Sequence, residues 1–149
     1  MRYEKHFFLF LILMSKSAKS QSQFESNQIK VNFGEGINSE KTSINVSQGI
    51  GWKVKIFPLF TQNQIITNAI PNDAGIYRLT INYADQLIYQ EIFIYRNTPK
   101  DEKLKFYLYI EQNRIFCKIK SEYAFELNKE IVLYPINEEM NNILNQIKE

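Results

Sequence analysis

The chain has 149 residues, 44% hydrophobic and 23% charged. This excludes a disordered or fibrous protein and suits one domain or two small ones. Its 18 Lys and Arg against 16 Asp and Glu leave a net charge of +2, which lacks the basic footprint of a nucleic-acid binder. The single cysteine, Cys117, excludes an intrachain disulfide and a cysteine-based zinc site.

The first 20 residues read as a secretory signal. A short polar start with Arg2 and Lys5 leads into the unbroken apolar run Phe7 to Met14, and Ala18-Lys19-Ser20 has the small-x-small form of a cleavage site. The apolar run is far shorter than the ~20 residues of a membrane span. Taking away Arg2, Lys5, Lys16, Lys19 and Glu4 leaves 14 cations against 15 acids, so the basicity belongs to the leader. The mature chain is expected to be extracellular (periplasmic in a bacterium), with no transmembrane segment.

After a polar start, Ile29, Val31 and Phe33 alternate with polar residues, the period of a half-buried strand. Residues 34 to 41 read as a loop. Ile44 and Val46 resume the alternation, and Gly49-Ile50-Gly51 reads as a bend. Trp52, Val54 and Ile56 share one face, with Lys53 and Lys55 on the other. Pro58 ends that strand or sets it at an edge. Residues 64 to 70 form another short candidate strand, and Pro71 to Gly75 is a turn by composition.

Tyr77, Leu79, Ile81 and Tyr83 alternate with Arg78, Thr80 and Asn82, and a tight connection at Ala84 to Gln86 leads to a long β-rich run, Leu87 to Tyr95. The pair predicts a hairpin. In the second strand, Ile88, Ile92 and Ile94 are assigned to one face and Tyr89, Phe93 and Tyr95 to the other, the pattern of a strand covered on both sides. Residues 96 to 103, with Pro99, read as a boundary. Leu104 to Ile110 and Ile115 to Ile119 predict a second hairpin, with Cys117 buried. Residues 124 to 134 hold one or two further strands. Met140, Ile143, Leu144 and Ile147 fall at helical spacing behind Asn137 as N-cap. Short strands separated by frequent turns predict an all-β sandwich or barrel.

Asp73-Ala74-Gly75-Ile76-Tyr77 resembles the Asp-x-Gly-x-Tyr signature of the immunoglobulin superfamily. The resemblance implies an immunoglobulin-like antiparallel β-sandwich over residues 21–96. It also implies a structural corner at Asp73, Gly75 and Tyr77, where the phenol is buried and bonds back to the upstream backbone. Leu79 stands where that family places its second cysteine, and some members lack the disulfide. Trp52 lies too close to Tyr77 for the core tryptophan unless the middle strands are pruned. Residues 97–149 are expected to form a small β-hairpin region ending in a short helix.

His6 is the only histidine and belongs to the leader. No Ser-His or Cys-His pair and no imidazole ligand remain in the mature chain, and no Gly-rich phosphate loop is present. Neither a cofactor nor a metal is implied, and no enzyme is expected. The pairs Asp101-Glu102 and Glu138-Glu139 fit solvated positions better than a catalytic dyad, which leaves a carboxylate hydrolase as the weakest reading. Asn45-Val46-Ser47 is a glycosylation sequon, with Asn45 as acceptor.

The expected function is a secreted or cell-surface binding and adhesion module without catalytic activity, for an unidentified protein or glycan. By family analogy its partner face includes Arg78, Thr80 and Asn82, with Tyr89, Phe93 and Tyr95 either joining it or covered by a second sheet. The other reading is a small periplasmic or envelope β-protein with a structural or inhibitory role.

Overall fold

The computed structural model describes residues 22–66 and 73–133. The signal segment, the terminal helix and most of the candidate strand at 64–70 lie outside the described residues. The described residues form ten strands: β1 (Ser22–Glu25), β2 (Ile29–Phe33), β3 (Thr42–Ile50), β4 (Lys53–Thr61), β5 (Gln64–Ile65), β6 (Gly75–Tyr83), β7 (Gln86–Tyr95), β8 (Leu104–Glu111), β9 (Arg114–Lys120) and β10 (Lys129–Leu133). They make two five-stranded sheets. Sheet A has the order β1-β2-β8-β9-β10 and sheet B the order β5-β4-β3-β6-β7. The pairings are antiparallel apart from β2 with β8, which run parallel.

The alternation seen in the sequence fills one core. Ile29, Val31 and Phe33 of β2, Phe106 and Leu108 of β8, and Ile115, Cys117 and Ile119 of β9 face Ile44 and Val46 of β3 and Tyr77, Leu79, Ile81 and Tyr83 of β6. Phe60 of sheet B lies 5.2 Å from Phe33 and 5.4 Å from Phe24 of sheet A, centroid to centroid, which ties the two layers together. Each such side chain removed from water contributes about 1.5–3 kcal/mol, and no disulfide assists.

Three hairpins close through two-residue turns, Gln62-Asn63, Ala84-Asp85 and Gln112-Asn113, with positive φ at both positions. Such turns match the right-handed twist of the strands they join. Two bulges then decide which side chains face inward. In β4, Ile44 pairs with Phe60 and Asn45 with Pro58, which leaves Leu59 as the extra, buried residue. The strand runs through Pro58 because β5 pairs only with Phe60 and Thr61, so the missing N–H at Pro58 breaks no ladder on that side.

In β7, Ile81 pairs with Tyr89 and Asn82 with Leu87, so Ile88 is the inserted residue. The insertion shifts the period by one. Ile88 is therefore buried together with Phe93 and Tyr95, while Ile92 and Ile94 point outward. This corrects the assignment of Ile88, Ile92 and Ile94 to one face. The strand order makes β7 the edge of sheet B, and its exposed Ile92 shows that it is not covered on both sides.

The N-terminal strands β1 and β2 and the C-terminal strands β8 to β10 form the same sheet, through the parallel pairing of Ile29 to Phe33 with Leu104 to Leu108. The connecting segment is anchored rather than solvated. Glu102 has no exposed surface. Its Oε1 accepts from the N–H of Lys103 at 2.9 Å and of Glu122 at 2.8 Å, and its Oε2 accepts from Ser121 Oγ at 2.8 Å. Ser121 Oγ in turn accepts from the Ala124 N–H at 2.9 Å. Three donors on one carboxylate offset the cost of burying its charge.

Candidate binding face

The tyrosine corner shapes one end of sheet B. Gly75 has φ +154 and opens β6, and an ideal Cβ there would lie 3.3 Å from Gln48 Nε2. Two residues on, the Tyr77 ring is buried. It stacks on Phe93 at 5.8 Å and meets Tyr95 edge-on at 5.3 Å. Its hydroxyl donates to the Asp73 carbonyl, which fixes the turn to the strand. Burial, and then the Asp73 charge, raise the Tyr77 pKa. Phe93 and Tyr95 therefore belong to the core at 1% exposure each, and not to a partner surface. Tyr89 is half-buried on the inner side, and its hydroxyl donates to Glu91, which Lys129 of β10 also contacts.

Arg78, Thr80 and Asn82 do point outward from β6. Arg78 is exposed, whereas Thr80 and Asn82 are half-buried, and Thr80 Oγ1 donates to the Asn45 carbonyl at 3.5 Å. Asn45 is half-buried beside them, between Pro58 and Thr80.

The strand registers build an apolar field around Arg78. One row across sheet B places Ile56, Ser47, Arg78 and Ile92 side by side. The next row brings Val54, Gly49, Ile76 and Ile94 together. Val54 and Ile56 are each 66% exposed, Ile76 63% and Ile92 59%. Gly49 contributes no side chain, and the gap above it is a trough of about 320 Å³ lined by Val54, Ile76, Arg78 and Ile92 among others. Trp52 occupies the β3–β4 turn beside this field and is fully exposed.

The sequence contained Val54 and Ile56 alternating with lysines, but apolar character alone assigns such residues to the inside. The register decides otherwise: Lys55 pairs with inward-facing Gln48, while Val54 and Ile56 pair with Gly49 and Ser47 on the outer face. Trp52 is accordingly a turn residue and not a core tryptophan.

Sheet A carries a different outer face. Tyr107, Tyr109 and Phe116 stack in a row with successive centroids 5.2 Å apart. Lys118 Nζ sits 5.6 Å from the Tyr109 centroid and 3.7 Å from Glu130. The Tyr109 hydroxyl donates to Glu130, which pushes its pKa up to about 12. These rings turn their faces to one another, and the adjacent charges pair among themselves.

Among the described residues, no group of three His, Cys, Asp or Glu side chains is placed to hold a metal, and no helix is long and apolar enough to cross a membrane. No known protein family, curated protein or solved structure matches the chain.

Proposed function

We propose that this chain is a secreted or cell-surface-associated, immunoglobulin-like binding and adhesion module without catalytic activity, and that it docks through the outer face of sheet B. The observation that carries this reading is the cluster of exposed aliphatic side chains at Val54, Ile56, Ile76 and Ile92. A contiguous apolar field on a folded surface usually marks a partner site. The leader-like residues 1–20 support export, and the lone histidine at position 6 leaves the rest of the chain without an imidazole base.

The immunoglobulin-like assignment draws support from two features. The Tyr77 hydroxyl bonds to the Asp73 carbonyl, the arrangement of a tyrosine corner. With β6 taken as the strand after that corner, the order β7-β6-β3-β4-β5 runs as the strands G, F, C, C′ and C″ of a variable-type domain. The opposing sheet departs from the family: β2 pairs in parallel with β8, whereas both sheets of the family are antiparallel.

The test is affinity capture from the fluid or envelope extract of the producing organism, with the wild-type protein and the double variant Ile76→Asp/Ile92→Asp. A partner retained by the first and lost by the second is the expected result. Identical captured sets would remove the face from the function.

A further inference from the structure

Among the described residues, the docking face of sheet B has one cation and no anion. Among the described outward-facing residues of β3, β4, β6 and β7, Arg78 is the only charged side chain, and no described ion pair involves it. It lines the trough opened by Gly49, with Ile92 beside it in the same row. A Cβ built at Gly49 meets nothing within 4 Å, so the trough is free space that a partner side chain can enter. Any partner that covers the surrounding aliphatics also strips water from the guanidinium. A surface with no acid would leave that charge buried and unpaired, which opposes association. A second copy of this face meets that objection, because it brings another Arg78 and no carboxylate.

Resting on the docking face proposed above, we infer that the occupant is a protein segment presenting an aliphatic or aromatic side chain to the Gly49 gap and an Asp or Glu carboxylate beside it to Arg78. The guanidinium fork suits that carboxylate, since it donates two parallel hydrogen bonds. The apolar anchor and its charged neighbour together form the small central cluster that dominates most interfaces.

The protein carries its own reporter. Trp52 is the only tryptophan and stands fully exposed at the hairpin tip, so a partner seated on the trough shifts its emission to the blue. The experiment selects binders from a displayed library of short random peptides and titrates them against the wild-type protein, Gly49→Val and Arg78→Glu. Gly49→Val fills the gap without crowding the strand, and melting curves confirm that both variants remain folded.

Selected peptides are expected to share an apolar residue next to Asp or Glu and to shift Trp52 emission. They should lose about tenfold or more in affinity against either variant, and regain binding to Arg78→Glu when their acid is replaced by Lys. Peptides weakened by Gly49→Val but indifferent to Arg78→Glu would overturn the carboxylate and leave the docking face standing. Binders indifferent to both variants, or no binders at all, would remove the face and the functional reading with it. A concentration-dependent Trp52 shift without peptide, matched by a sedimenting dimer that Gly49→Val abolishes, would name a second copy as the occupant and overturn the inference.

Discussion

Tyr77 joins two kinds of interaction in one side chain: its ring packs on Phe93 and Tyr95, and its hydroxyl holds the carbonyl of Asp73. Tyr77→Phe keeps the packing and removes the bond, so urea denaturation should report a loss of about 1 kcal/mol. Glu102 is the residue the sequence concealed most completely. An acid next to another acid in a charged segment reads as solvent-facing, and nothing local signals that Ser121 and the Glu122 N–H will enclose it. Ser121→Ala takes one donor from a buried carboxylate and should cost about 1–3 kcal/mol in the same assay.

Burial also raises the pKa of Cys117, Tyr77, Tyr83 and Tyr95. For each, the folded state holds the proton after the unfolded chain has released it. Their contribution is therefore intact below the ordinary thiol and phenol values of about 8.5 and 10, and it is lost as pH rises beyond them. Melting temperature should be unaffected by these groups near neutrality and fall between about pH 9 and 11. The Tyr95 hydroxyl is buried beside Glu102 and Ser121, so Tyr95→Phe should flatten that fall.

At the scale of elements, alternation made most strands legible: β2, β3, β6, β8 and β9 bury the residues that their period of two assigns inward. What alternation cannot reveal is a single inserted residue. The bulge at Ile88 separates it from Ile92 and Ile94, which the period places on the same face, and buries it with Phe93 and Tyr95. The apolar half of β4 was visible as a pattern, but its direction depends on its register with β3, which no local signal encodes. The outward direction of Arg78, Thr80 and Asn82 is therefore legible in the sequence, whereas that of the aliphatics around them is not. Turn chemistry is another element-scale property. Asp85 holds φ 62 in the β6–β7 turn, a conformation that costs most L-residues about 1–2 kcal/mol. Asp85→Gly should therefore raise stability by about 0.5–1 kcal/mol in thermal melts, after the extra unfolded-state entropy of glycine is deducted.

For the whole molecule, the two-sheet, all-β plan followed from composition and period, whereas the pairing of β2 with β8 did not. Pro99 and its charged neighbours have the composition of a linker, yet β8 just beyond them pairs with β2, far upstream, in one sheet. A fragment ending at residue 96 would keep sheet B but lack β8, β9 and β10, leaving its inner face open to water. It should show no cooperative thermal transition and should bind an apolar dye, whereas the intact chain melts cooperatively.

The parallel contact between β2 and β8 also sets a timetable. Ile29 must wait for Leu104, so sheet A can close only after the strands of sheet B, all upstream of Leu104, have been synthesised. Closing so long a loop precedes the reward of the contacts it makes, and assembly on the millisecond-to-second scale follows, as in other proteins dominated by distant pairings. Until then the aliphatic strands at both ends of the chain stay unsheltered, and that interval is when a chaperone would find most to hold.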